Sequence, residues 1–423
     1  MLKRLLLILL ILLFPLLALA QTAEEYTKKG LEKVNFGDYK GAIQEFNKAI
    51  QFNPNDANAF GNRGLSRSIL GDNRGAIQDF NKAIELNPND ANAYNNRGNA
   101  KSKLGDYRGA IQDYNKTIKL NPNDTNAYYN RGSAKYKLGD YKGAIQDYNK
   151  AIQFNPNDAN AYSNRGLSRS MLGDNRGAIQ DFNKAIELNP NDNFAYSGLV
   201  IAKMELDQKD EEYFKNGVGK YNLGDSRGAI QDFNKAIELK PNHAEAYYYR
   251  GNAKHYLGDN KGAIQDYNKA IELNPNYLKA YMNKGIAKSS LGDNRGAIQD
   301  YNKAIELNPN YVIAYINRGN AKSELGDNRG ALQDYNKAIK LNPIYSDAYY
   351  NRGVAKGSLG EYKEAILDYN KAIQLNPNYV GAFINRGLDK IKLGQKDSGC
   401  LDLSKAGELG NMKAYDAIKE FCQ

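Results

Sequence analysis

The chain has no tryptophan, two histidines, two cysteines and 11 prolines in 423 residues. Each scarcity excludes a chemistry. His243 and His255 sit in different predicted helices, so a histidine base or a histidine metal centre has no material. Cys400 and Cys422 form no CxxC pair, which removes thiol–disulfide catalysis. Gly71-Asp72-Asn73-Arg74-Gly75 is a turn without phosphate-loop spacing. Acidic pairs are spread one set per repeat, as on solvated helix faces, and converge on no single site. The expectation is therefore a chain with no catalytic residues, no metal and no cofactor, and hence no enzyme. Apart from Leu5–Leu17 there is no long hydrophobic run, so nothing is expected to insert in a membrane once that segment is removed. The formal net charge is +10, but the bases are interleaved with acids, as in Gln112-Asp113-Tyr114-Asn115-Lys116. That is a solvated outer face and not the clustered patch that nucleic acid requires.

What the chain has is repetition. Pro54, Pro88, Pro122, Pro156 and Pro190 stand 34 residues apart, as do Pro241, Pro275, Pro309, Pro343 and Pro377, while Pro190 and Pro241 are 51 apart. A fixed period of this size marks stacked helical units, each too thin to bury its own apolar face alone. The unit Ala91–Asp124 reads as two helices. Tyr107, Ala110, Ile111, Tyr114, Thr117 and Ile118 form one apolar face of the second. Ala93, Tyr94, Gly98, Ala100 and Leu104 form a narrower face of the first. Gly105-Asp106 ends one helix and caps the next, and Asn121-Pro122-Asn123-Asp124 closes the unit. Gly98 and Ala110 let the two backbones approach.

These residues resemble a tetratricopeptide repeat: Tyr94 early in the first helix, Gly98 and Ala110 at the crossing, Tyr114 and Thr117 (Ala83 in another copy) in the second, and Pro122 at the close. The resemblance runs from Ala23 to Gly410. It implies an all-α, right-handed α-solenoid of helix–turn–helix units with a C-terminal capping helix. One departure is regular. Where the family has Leu before the crossing Gly, this chain has Arg63, Arg97, Arg131, Arg165, Arg250, Arg318, Arg352 and Arg386, with Lys284 once. Either the arginine stem packs while its head reaches water or an Asp such as Asp113, or the arginines meet a partner.

Residues 1–20 read as a signal peptide: Lys3 and Arg4, an apolar run, then Ala18 and Ala20 before cleavage. An uncleaved anchor is the alternative. Export to the periplasm or beyond, with possible attachment to the cell envelope, follows from the first reading. The remainder divides into an array at 21–207, an irregular one-and-a-half repeat at 208–243, a second array at 244–410 and a capping helix at 411–423. Residues 149–158 repeat 47–56, and 165–170 repeat 63–68, so part of the first array is a block duplication. In the irregular stretch, Leu199 and Val200 replace Arg and Gly. Asp207–Glu212 reads as a turn before a further helix at Tyr213–Leu223, which gives either a kink or an extra helix packed in line. Two cysteines in an exported chain suggest one disulfide, Cys400–Cys422, against two free buried thiols.

In the family, first helices line the concave face, and an Asn two residues before the crossing Gly projects into it. The resemblance implies a ladder at Asn62, Asn96, Asn130 and Asn164, then Asn283, Asn317, Asn351 and Asn385. Asn99 and its counterpart Asn320 stand beside it. An amide offers a donor and an acceptor to a peptide backbone. The bland alternative is polar residues tolerated on a surface. The residues just before the second ladder, Met282, Ile316, Tyr350 and Ile384, are apolar and are expected to be exposed in the groove. Asn95, Asn99 and Asn130 match part of a carboxylate clamp, but Asn160 and Asn164 replace its bases. The leading expectation is a scaffold for an extended peptide or a partner protein. Its rivals are an envelope assembly factor acting by self-association and a regulatory subunit of a separate enzyme. Oligomeric state is not legible.

Overall fold

The computed structural model describes residues 22–422, so the leader and its cleavage site lie outside the described residues. Among the described residues every regular element is an α-helix. They form two compact units, one ending at Leu206 and the other starting at Asp207.

The first unit stacks five helix pairs. It begins with helices at residues 22–35 and Tyr39–Phe52 and ends with Ala159–Met171 and Asn175–Leu188. The pair Ala91–Lys103 and Tyr107–Leu120 shows how the sequence sets each boundary. Asp90 accepts from the amides of Asn92 and Ala93 at the start of the first helix. Gly105 turns the chain with φ +84°, a conformation that costs glycine little. Asp106 then caps the second helix by accepting from Gly109 N at 2.9 Å. The core between the helices is one aromatic ring set among alanines. Tyr114, Ala110 and Ala134 are buried together, while Ala100 packs on Ala76 and Phe80 of the preceding repeat. A β-carbon at Gly98 would stand 2.7 Å from Cε1 of Tyr114. The crossing glycine therefore exists to seat that ring.

The regular arginine belongs to the same architecture. Arg97 Nε donates to Asp113 Oδ2 at 3.0 Å and Nη2 to Oδ1 at 2.5 Å, while Nη1 donates to Asn81 Oδ1 at 2.8 Å. Asn81 lies in the second helix of the preceding repeat. Lys101 supplies a second cation, 2.8 Å from Asp113 Oδ2, and the guanidinium covers the Tyr94 ring at 5.3 Å. Of the two readings of these arginines, packing against an Asp is the one observed. The same fork joins Arg63 to Asp79, Arg131 to Asp147 and Arg165 to Asp181. In the second unit it joins Arg250 to Asp266, Arg318 to Asp334, Arg352 to Asp368 and Arg386 to Asp402. Lys284 meets Asp300 Oδ1 through a single contact of 2.7 Å.

The stretch Asp207–Glu212 is helical, contrary to the expected turn. It lies inside one helix, Asn193–Asn222. The reason is compositional. No glycine or proline interrupts residues 199–216, and the next glycine with positive φ is Gly224. Within the first unit, Ala195, Leu199 and Ala202 of this helix pack on Phe182 and Ala185. Within the second, Gly217 faces Phe233 as the first helix of a pair faces its second; a β-carbon there would lie 2.6 Å from Cε1. Buried Asp210 meets His243 Nδ1 at 2.9 Å.

The second unit continues through five regular pairs, from Ala244–Tyr256 with Asn260–Leu273 to Val380–Lys392 with Lys396–Glu408. Its first helices start differently. Tyr277, Tyr311, Tyr345 and Tyr379 stand at the caps that Asp occupies in the first unit, and none makes a side-chain cap bond. Two of them meet a ring of the preceding repeat at a tilt instead: Tyr277 lies 4.9 Å from Tyr248 and Tyr379 4.8 Å from Tyr350, centroid to centroid. The last helix, Met412–Phe421, packs Ala414 against Phe383 and Ala406. Cys400 and Cys422 form a disulfide with 5.9 Å between Cα atoms.

Two outcomes test this account. Arg97→Ala leaves the buried Asp113 with Lys101 alone and its Oδ1 without a partner, and is expected to cost on the order of 3 kcal/mol in urea unfolding, whereas Arg97→Lys, the arrangement found at Lys284, should cost clearly less. Reduction of the bridge, which closes a separation of 22 residues, should destabilise the C-terminal end by about 3 kcal/mol, read as a lower melting temperature with reductant.

Candidate peptide-binding face

In each unit successive first helices touch one another along the stack. The face they share carries the ladder. All eight ladder asparagines are half-buried there, but their amides are not equivalent. Asn164 Nδ2 donates to Tyr129 OH at 2.8 Å, and Asn385 Nδ2 to Tyr350 OH at 3.2 Å. Asn283 Nδ2 donates to Asn252 Oδ1 at 2.8 Å, and Asn351 Nδ2 to Asn320 Oδ1 at 3.1 Å. Asn62 Nδ2 returns to the Asn58 carbonyl at 2.8 Å. Asn164 also donates to the Asn160 carbonyl at 3.0 Å and Asn283 to Tyr248 OH at 3.2 Å, so these two spend both N–H donors inside the protein, while Asn62, Asn351 and Asn385 spend one of two. Asn96, Asn130 and Asn317 make no side-chain hydrogen bond. The expectation that every rung offers both functions is corrected accordingly.

Asn99 and Asn320 do the reverse. Burial, with a smaller contribution from the Asp113 carboxylate, pushes the Tyr114 hydroxyl above its ordinary range. It therefore stays protonated and donates to Asn99 Oδ1 at 2.8 Å. Tyr335 does the same to Asn320, also at 2.8 Å, and Tyr267 to Asn252 at 2.9 Å. With their carbonyls engaged, these amides keep their Nδ2 donors. Donor positions thus stand beside the ladder at Asn99 in the first unit and at Asn252 and Asn320 in the second. Asn252 escaped the sequence reading, although its position three residues after Tyr249 repeats the spacing of Asn99 from Asn96.

Clefts open along this face. One of about 310 Å³ in the first unit is lined by Asn96, Asn99, Asn130, Ser102 and Ser133. A smaller one, about 160 Å³, touches Asn58, Asn62, Asn92 and Asn96. In the second unit, a cleft of about 280 Å³ is bordered by Asn320, Glu324, Tyr335 and Asn351. Another of about 490 Å³ lies between Tyr221, Tyr248, Tyr256 and Asn283. Among the described residues no group of three or more His, Cys, Asp or Glu is placed to hold a metal ion.

The apolar residues before the second ladder are not an exposed stripe. Met282 is 2% exposed and Ile316 6% exposed. The cause is the tyrosine cap of the following repeat. Tyr311 packs in the Met282 cluster, Tyr345 in the Ile316 cluster and Tyr379 beside Tyr350. Tyr350 is half-buried and its hydroxyl accepts from Asn385. In the first unit the same position serves a cap: Ser163 Oγ donates to Asp192 Oδ2 at 2.7 Å.

Paired helices, crossing glycines seating an aromatic ring and a polar inner face define a helical-repeat scaffold. The family models agree. The TPR repeat model matches residues 30–67, 69–105, 98–139, 132–173, 220–258, 288–326 and 319–360, and the tetratricopeptide repeat model matches 159–192, 244–277 and 346–379. The chain belongs to the tetratricopeptide repeat family, whose members act generally as protein-interaction scaffolds. No curated protein sequence matches it at a significant level. Among solved structures it is similar to MamA, at 31% identity over 39% of this chain and 96% of that one, TM-score 0.37. It is also similar to a tetratricopeptide repeat protein from Parabacteroides merdae, at 23% identity over 64% and 98%, TM-score 0.40. PilF of Pseudomonas aeruginosa matches at 18% identity over 51% and 99%, TM-score 0.45.

Because Ile316 is core, Ile316→Ala is expected to cost about 2–4 kcal/mol of stability, measured by chemical denaturation. An unchanged unfolding midpoint would return Ile316 to the surface.

Proposed function

We propose that the protein is an exported, non-enzymatic scaffold that lays an extended segment of a partner protein along the first-helix face of each unit. The observation that carries this reading is the ladder of half-buried amides along the first-helix face, with free N–H donors beside it at Asn99 in the first unit and Asn320 in the second. A peptide main chain offers both complements at every residue, whatever its side chains. Clefts of about 310 Å³ and 280 Å³ beside those amides give room for side chains. The exported setting rests on the leader and on the Cys400–Cys422 bridge, which suits an oxidising compartment.

Asn62, Asn96 and Asn130 are the rungs to remove in the first unit, because none of their amides supports another repeat. Each lost bond to a partner is worth about 0.5–1.5 kcal/mol. The Asn62→Ala/Asn96→Ala/Asn130→Ala variant should therefore fold normally and hold a partner captured from an envelope extract at least ~10-fold more weakly. Equal capture by wild type and variant would refute the ladder as the binding element.

Self-association is favoured by a separate observation. Val200, Ile201 and Met204 of the long helix are 55%, 55% and 66% exposed within the first unit. If a second copy covers this face, light scattering behind size exclusion will show a concentration-dependent dimer that Met204→Glu abolishes.

A further inference from the structure

In nearly identical repeats, a position that breaks the pattern is informative. The residue three after the regular arginine is Ser66, Ala100, Ala134, Ser168, Ala253, Ala287, Ala321 or Ala355, and in the last repeat it is Asp389. Small residues suit this place because it faces the neighbouring repeat, where Ala100, Ala134 and Ala253 are fully or almost fully buried. Asp389 is as buried as they are, at 4% exposed.

Its neighbours have changed with it. Gly357 stands where Ser102, Ser289 and Ser323 stand in other repeats, and a β-carbon there would lie 3.0 Å from Asp389 Oδ2 and 3.6 Å from Tyr369 OH. Val354, like Leu65, Leu167 and Ile286 at the same position, carries no acceptor, so Tyr369 OH lacks the one that Tyr114, Tyr267 and Tyr335 find in Asn99, Asn252 and Asn320. The result is a cleft of about 190 Å³ lined by Val354, Gly357, Ser358, Tyr369, Asn385 and Asp389, with Lys392 at its edge.

The carboxylate at the bottom is under-served. Asp389 Oδ2 is buried without a hydrogen-bond partner. Oδ1 receives a single contact of 3.3 Å from Lys392 Nζ. Lys392 is half-exposed and has a second home over the Tyr362 ring, 4.7 Å from its centroid. Burial raises the Asp389 carboxyl above its ordinary range, and Lys392 only partly offsets that. A buried acceptor left unpaired is costly, and an alanine was available in every neighbouring copy. Of the remaining polar groups, Asn385 commits one N–H to Tyr350 OH at 3.2 Å, Ser358 Oγ donates to the Val354 carbonyl at 3.0 Å, and the Tyr369 hydroxyl has no acceptor. An unpaired, buried carboxylate oxygen in a cleft beside an aromatic ring matches a donor-rich cation.

We propose that the Asp389 cleft is a binding site for a guanidinium or primary ammonium group, taken from an Arg or Lys side chain of the segment lying on the second unit's first-helix face, which displaces Lys392 from the carboxylate. The origin of the cation rests on the peptide-groove reading; the cleft's preference for a cation does not.

The test uses the full mature chain and agmatine, with N-butylurea as its neutral counterpart, titrated calorimetrically at fixed ionic strength. Wild type should bind agmatine saturably and N-butylurea at least tenfold more weakly. Asp389→Ala, which installs the residue of the other repeats, should lose agmatine at least tenfold while its melting temperature rises. Gly357→Ser, which refills the cleft, should lose it similarly, and Lys392→Met should bind several-fold tighter. Absence of saturable binding to wild type, or equal binding by wild type and Asp389→Ala, overturns the site. Agmatine binding that survives alongside unimpaired partner capture by the ladder variant would refute the groove reading and leave the cation site standing.

Discussion

The structure depends on one ion pair repeated along the stack. A repeat of two short helices has a core of a single aromatic ring and a few alanines, and it cannot hold its own geometry. The Arg–Asp fork supplies what that core lacks. Arg97 ties its own second helix through Asp113 and the preceding second helix through Asn81. Three helices are thereby joined by one planar group. Only arginine has donors enough for that task. Lys284 shows the lesser version, neutralising Asp300 without a second fork arm. The carboxylates are almost fully buried, so each fork is strong only while it is complete.

Given that frame, the two units divide over how to begin a helix. The first unit uses Asp caps, each satisfying amides at a helix start for about 0.5–2 kcal/mol. The second gives up those bonds for tyrosines whose rings cover the residue before the ladder. The exchange moves stability from a hydrogen bond at the helix end to aromatic contact between repeats, and it changes the inner surface as well. Met282 and Ile316 become core and add nothing apolar to the second unit's exposed face.

Much of this was legible in the sequence. Period, helix pairing, caps, crossing glycines and the role of the arginines all follow from local rules that recur at every copy, so each was seen many times over. What escaped depends on contacts across repeats. The burial of Ile316 is decided by Tyr345, 29 positions later, and periodicity within one helix cannot register it. The turn at Asp207–Glu212 failed for a different reason: the repeat template demanded a turn where local composition favoured helix, and composition prevailed. The commitment of ladder donors to Tyr129, Asn252, Asn320 and Tyr350 likewise needed coordinates, since it rests on which amide faces which neighbour.

Repetition also changes how a functional position is recognised. In an ordinary domain a buried Asp can be explained by its surroundings, and there is no internal standard for what else could occupy the place. Here each site has up to ten copies made by the same fold, and the copies state the residue that packing alone prefers. Asp389 departs from that standard together with Gly357, which opens space beside its carboxylate. A departure that lowers stability on its own, accompanied by a neighbour that enlarges rather than repairs the defect, is what a site does and what drift in a structural core does not. The same comparison explains why the ladder asparagines carry less information individually: they are what every copy has, and whatever they bind must tolerate repetition.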